Sequence, residues 1–398
     1  MDEFKGESII MKIAYVTVYD VLNQQKWPKT QLGLCQAGYR IAKTLERQSV
    51  TLEYIGDLKK KSSLITRAKW EFYHRFYQKD YYRWAEPLVV RDYGKQVQNQ
   101  LAKIDYDVVL CAENVIPISR LNCKKPIVLW TDAPLCALIN FYPYLSNLCQ
   151  ETLDNIYHLE KAALEKCKLA IYTSDWAAKY AIQKYQLNPD KVKVVSFGGN
   201  LENHQTIKEI EYQIKLRSST LCKLLFIGVE WWRKGGHIAL QVTEKLNQQG
   251  IKAELTIVGC QPNINSPLPP YIKVLGYINK FTPEGQEKLS QLIASSHFLI
   301  LPSTAETYGH VLCEANSFGV PCLTTNVGGL SSVIHNNING QTFSPTANIT
   351  DYCDYITDYM NDFDRYQELA RSAYQEYQSR LNWDVACQNV KKLIHDLI

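Results

Sequence analysis

The 398 residues, 46% hydrophobic and 21% charged, are about twice the usual domain length with the balance of an ordinary globular chain, which excludes a disordered or fibrous protein and predicts two domains. A net charge of +4 without a long block of like charges argues against nucleic acid as a partner, and no apolar run is long enough for a membrane span. Twelve cysteines stand singly from Cys35 to Cys387, with neither CxxC pairs nor paired Cys and His spacings, and read as reduced, mostly buried thiols of a cytosolic protein.

The chain begins MDEFKGESII, acidic and only briefly apolar, which fits no signal peptide; Met11 reads as a native start just before the first strand. Apolar runs that suit buried parallel strands follow at Lys12 to Val18, Thr51 to Ile55, Val108 to Cys111, Ile127 to Trp130, Leu169 to Thr173 and Val192 to Ser196. Helical periods fill the intervals, so the expected class is α/β with doubly wound sheets. In segment 59–95, Lys and Arg are interleaved with Trp, Tyr and Phe. That mix suits the headgroup region of an anionic membrane or stacking on sugars, and equally an aromatic flap packed on its own domain. IVLWTDAP puts Asp132 at a strand-to-helix turn, where it either faces a substrate or caps the next helix.

A polar stretch, 201–220, joins the halves, although its charge pattern also allows a helix. Further strands are expected at Lys223 to Ile227, Ala253 to Val258, Phe298 to Leu301 and Pro321 to Thr324. After the first comes a helix with Ala239, Val242 and Leu246 on one face and Gly250 beyond its end. The segment after Asp351 reads as helices. The domains are therefore drawn at 1–205 and 206–372, each Rossmann-like, with a helical tail at 373–398 packing back toward the first.

Two stretches carry chemistry. In LILPSTAETYGHVLCEANSFGVP a buried strand turns into a helix, with Glu306 before the helix and Glu314 in its second turn, leaning back toward the mouth. Free N–H groups and the positive helix end suit a diphosphate, and Gly309 removes a Cβ that would hold a phosphate off. Each carboxylate more plausibly accepts hydrogen bonds from hydroxyl groups, as on a sugar or ribose. The bland readings are a dipole-favoured acidic residue for Glu306 and an exposed helix position for Glu314. In LLFIGVEWWRKGGH a strand ends at Gly228, and Arg233 and Lys234 precede the next helix. Two such cations stabilise a departing diphosphate without a metal; otherwise they are a solvated surface pair.

These motifs resemble the retaining glycosyltransferases of the GT-B fold, called group 1 or family 4. The match is carried by Gly228 to Gly235, Val258-Gly259, the pair Glu306 and Glu314, and the run from Glu314 to Leu330. The resemblance implies two facing Rossmann-like domains with a cleft between them, a nucleotide-sugar donor with UDP as the expected nucleotide, a hydroxyl acceptor on a glycan, lipid or small metabolite, retention, and no metal or other cofactor. It implies Lys234 as a ligand of the donor diphosphate, Glu314 as a partner of the ribose, and Glu306 as a contact of the donor sugar. Gly309, His310 and Val311 would contribute backbone, and Tyr277 and Ile278 would lie at the base.

The family's first-loop Gly-Gly is Leu32-Gly33 here, so only Gly33 carries over. Val229 stands where many members have Arg, with Arg233 as substitute; Asp132 replaces a histidine and Ser332 a glutamate. Two rival readings stand beside this one: a sugar-nucleotide epimerase, since some epimerases share the fold, and a noncatalytic sugar-nucleotide or glycan-binding protein in which these departures have cost turnover. The triplet Asp362 to Asp364 reads as a solvated turn and not as a metal motif.

Overall fold

The computed structural model describes residues 11–28, 31–60, 64–112, 114–262 and 267–398. The reading of residues 1–10 lies outside these. The chain divides into two compact units, one running to Val195 and taking in Ala386–Ile398, the other Ser196–Val385. The division thus falls ten residues before the expected boundary. The reason is hydrogen bonding: directly after Val195 the backbone joins the second unit, with Phe197 O accepting from the Tyr308 hydroxyl and Asn200 N donating to Glu314 Oε1 at 3.1 Å. The expected tail is also divided, since Arg380 is held by the carbonyls of Ser332 and Val333 in the second unit.

The first unit holds a six-stranded parallel sheet of β1 (Lys12–Val16), β2 (Thr51–Ile55), β3 (Val108–Cys111), β4 (Ile127–Thr131), β5 (Leu169–Tyr172) and β6 (Val192–Val194), in the order β2-β1-β3-β4-β5-β6. Its central strands are apolar throughout because helices cover both faces, and β3, β4 and β5 are wholly buried. The helix Leu32–Arg47 turns Cys35, Ile41, Ala42 and Leu45 inward. The last helix, Trp383–His395, closes onto this unit, with Cys387, Val390 and Ile394 fully buried and Lys391 Nζ donating to Gln48 O at 2.6 Å.

The second unit repeats the architecture with β7 (Cys222–Ile227), β8 (Ala253–Val258), β9 (Ile272–Gly276), β10 (Phe298–Leu301), β11 (Cys322–Thr325) and β12 (Gly340–Phe343), in the order β12-β11-β10-β7-β8-β9. The edge strands β9 and β12 are not among the sequence expectations. Only Ile272 is buried in β9 and only Gly340 and Phe343 in β12, with Lys273, Gln341 and Thr342 breaking the apolar pattern, so neither presents a continuous apolar run. The joining stretch contains a helix, Ile207–Leu216, started by a capping box of Thr206 and Glu209. In the helix Gly236–Gln248, Ala239, Val242 and Leu246 are fully buried, and Gly250 follows its end at φ +87°. Asp362 caps the helix Phe363–Arg380 through a bond from Arg365 N, so the acidic triplet is a helix start.

The order of the second sheet decides where a ligand can sit. From β7 the chain first builds outward through β8 and β9, then crosses to β10 on the other side of β7. The loops leaving β7 and β10 therefore diverge at a switch point, where open α/β sheets hold ligands beyond the carboxyl ends of their strands.

Candidate active site

Lys234 and Glu306 come from those two loops. The β7 loop can reach the β10 loop because two glycines let it lie close. A Cβ on Gly228 would sit 3.0 Å from Lys234 Cγ, so its absence makes room for the lysine stem. Gly235 has φ +76° and packs beneath the Pro302 carbonyl, an approach and a conformation that side-chain-bearing residues resist. The loops are then joined by Thr304 N donating to Arg233 O at 2.8 Å, and by Arg233 Nη1 donating to Ala305 O at 2.8 Å.

The Lys234 ammonium forms an ion pair and hydrogen bond with Glu306 Oε2, and Arg233 Nη1 stands 3.7 Å from the same oxygen. Lys234 and Arg233 are both largely covered, so they are not the solvated surface pair of the bland reading. Burial, and secondarily the adjacent Arg233, push the lysine down from 10.5 to about 7, against the pull of Glu230. Arg233 is also gripped by Glu230, with Nε and Nη2 at 2.9 and 2.6 Å from its two oxygens. It enters the site as a braced charge beside Lys234.

Glu314 lies in the second turn of the short helix His310–Asn316 and is 7% exposed, which removes the reading of an exposed helix residue. Its Oε1 accepts from Asn200 N and lies 3.8 Å from Lys280 Nζ. Lys280 follows the turn after β9, so this contact ties the stretch containing Tyr277 and Ile278 to the Glu314 carboxylate. Tyr277 itself is largely exposed and Ile278 half-buried.

Gly309 caps this helix at φ +85°, but a Cβ there would meet Leu330 and Leu312, at 3.0 and 3.3 Å. The glycine is therefore required by its left-handed backbone and by packing against these leucines. His310 contributes more than backbone. Its Nδ1 hydrogen-bonds Gly198 O at 2.9 Å, and its ring stacks on Phe197 at 5.7 Å. Val311 is half-buried beside it.

The structure brings Lys234, Arg233, Glu306, Gly228, Glu314, His310, Val311 and Gly309 into one unit with Tyr277 and Ile278. Asp132 and Gly33 belong to the other unit. Asp132 Oδ1 accepts from Ala133 N at 2.9 Å, while the helix Leu135–Leu138 is capped by Glu160, which accepts from Leu135 N and Cys136 N at 2.7 and 3.0 Å. Asp132 is thus not the helix cap. Gly33 lies in the first turn of the helix Leu32–Arg47 with open space where a Cβ would stand.

Sequence reasoning missed Lys280, Glu230, Asn200 and Glu160. Glu230 had a signal, its three-residue spacing from Arg233 on a turn. Lys280 and Asn200 had none, since each meets Glu314 only through folding.

Residues 207–376, a little over two fifths of the chain, match the family described as glycosyl transferases group 1. Among curated proteins the chain is similar to spore coat protein SA of Bacillus subtilis, 22% identical over 240 residues, 55% of this chain and 63% of that protein. The chain thus spans less than two thirds of that relative's length. Among solved structures its fold is similar to sucrose-phosphate synthase from Thermosynechococcus elongatus, at 14% identity and a TM-score of 0.67, covering 97% of this chain and 99% of that one. It is also similar to the Anabaena protein HepE in complex with UDP and glucose, at 16% identity and a TM-score of 0.59, covering 97% and 100%.

Proposed function

We propose that the protein transfers a sugar from a UDP-sugar to a hydroxyl acceptor with retention at the anomeric carbon. The observation that carries this reading is the buried Lys234–Glu306 pair at the switch point, with Arg233 beside it. A departing nucleoside diphosphate gains negative charge on its leaving oxygen, and fixed cations in a water-poor site stabilise that charge best. Lys234 and Arg233 supply the cations, so the reaction needs no metal ion. Glu306 holds the lysine in place and has lone pairs left for sugar hydroxyls, and Glu314, already oriented by Asn200 N, does the same for the ribose. The UDP bound to the Anabaena protein supports UDP as the nucleotide.

In the reaction the bond between the anomeric carbon and the phosphate oxygen breaks as the acceptor oxygen bonds to that carbon on the same face. The acceptor proton passes to the departing phosphate oxygen, and UDP leaves. No dedicated base is then required.

The test is nucleotide release from a panel of UDP-, GDP- and ADP-sugars, with and without lipid and oligosaccharide acceptors. UDP should be released from one donor, and Lys234→Ala and Glu306→Ala should each lower the rate by about a hundredfold or more. Donor binding without release would point to a noncatalytic sugar-nucleotide protein, and the absence of both would overturn the reading.

A further inference from the structure

The helix Leu64–Tyr77 inverts the usual arrangement of an amphipathic helix. A surface helix ordinarily turns its apolar stripe to the core and its polar residues to water. Here the side held by the first unit carries Thr66, Lys69 and Tyr73: Thr66 is its one buried residue, Lys69 Nζ pairs with Glu86 and Glu151 at 3.0 and 2.5 Å, and the Tyr73 hydroxyl donates to Glu151 at 2.8 Å. Tyr73 also stacks on Tyr81 at 5.6 Å. The outward side carries Ile65, Ala68, Phe72 and Phe76, spaced three, four and four residues apart, with Leu64 beside them. Leu64 is 86% and Phe76 70% exposed.

Burial inside the unit therefore does not account for this stripe, because polar anchors already fix the inner face. Large apolar side chains held outward on a pinned helix mark an interaction surface. Arg67, Arg75, Lys79 and Arg83 are exposed on or just after the helix, against exposed Glu71 and Asp80. Apolar residues rimmed by cations complement a bilayer with anionic headgroups, which takes the stripe into its acyl boundary while arginine and lysine stay at the headgroups.

We propose that the helix Leu64–Tyr77 docks the protein on anionic membrane surfaces through Ile65, Phe72 and Phe76, with the flanking arginines setting the preference for negative lipid. This does not depend on the transfer reaction, since vesicle binding is measured without donor or turnover.

The full chain is sedimented with phosphatidylcholine vesicles and with vesicles enriched in phosphatidylglycerol, at low and high salt. Binding is expected to the anionic vesicles at low salt and to fall as salt rises. Phe72→Ser/Phe76→Ser and Arg67→Glu/Arg75→Glu should each weaken it about tenfold or more while keeping the wild-type melting transition, because all four side chains lie outside the core. Failure of the wild-type protein to sediment with anionic vesicles at low salt overturns the proposal, as does binding by both variants as strong as that of the wild type. A concentration-dependent dimer abolished by Phe72→Ser/Phe76→Ser, without vesicle binding, would assign the stripe to a second copy of the chain and likewise overturn it.

Discussion

Lys234 carries the sharpest pH consequence. With its ammonium pushed down to about 7 by burial and Arg233, the empty site holds the charged lysine below that pH and loses it above. A diphosphate binds the charged form, so UDP affinity should be highest on the acid side and fall by up to about tenfold per unit as pH rises through and beyond 7. Calorimetric titration of UDP between pH 6 and 9 checks this, and Lys234→Arg, which keeps its charge, should flatten the profile. A slope unchanged in that variant would assign it elsewhere. Motif context singled out Lys234, Glu306 and Glu314, because the first two stand just before a helix and the third within two turns of a helix start. Their engagement was not legible in the sequence: Glu230 bracing Arg233, and Asn200 and Lys280 reaching Glu314, are contacts between residues distant in the chain, apart from the Glu230 turn.

At the level of elements, the short helix His310–Asn316 depends on Gly309. Gly309→Ala forces a Cβ into a left-handed position against Leu330 and should cost about 1–3 kcal/mol, visible as a lower urea midpoint, and weaken donor binding with it. The strand pair β7 and β10 has its own pH switch in His297. Its Nδ1 accepts from Lys223 N at 3.0 Å and its Nε2 lies 2.8 Å from Ser218 O, so the neutral ring with the proton on Nε2 is the form that fits. Burial holds it at about 4, against 6.5 when unfolded. Between those values the unfolded chain binds the extra proton, so stability falls with pH from 6.5 toward 4, by about 3 kcal/mol for this group. Comparing urea unfolding of the wild type and His297→Gln at pH 4.5 and 7 should reveal a smaller acid loss in the variant. The central strands were legible from their apolar runs, whereas the edge strands β9 and β12 were not, since one face of an edge is wet and the pattern breaks.

For the whole molecule, the final helix belongs with the first unit although the chain reaches it through the second. Ending the protein after Val385 would uncover the surface packed by Cys387, Val390 and Ile394 and remove the Lys391 bond to Gln48, a loss of about 5 kcal/mol. The truncated chain should melt lower, with faster hydrogen exchange in the helix Leu32–Arg47. The α/β class, the two-unit plan, most central strands and the motif of Lys234, Glu306 and Glu314 all follow from the order of residues. Apolar period and strand-end chemistry are local properties, carried within a dozen neighbours. Tertiary structure alone decided the boundary at Val195, the return of the last helix and the braced Lys234–Glu306 pair. It also decided which face of the helix Leu64–Tyr77 is bare. Each of these depends on which surfaces meet after folding, and periodicity can say that a helix has two faces but not which one the rest of the protein will cover.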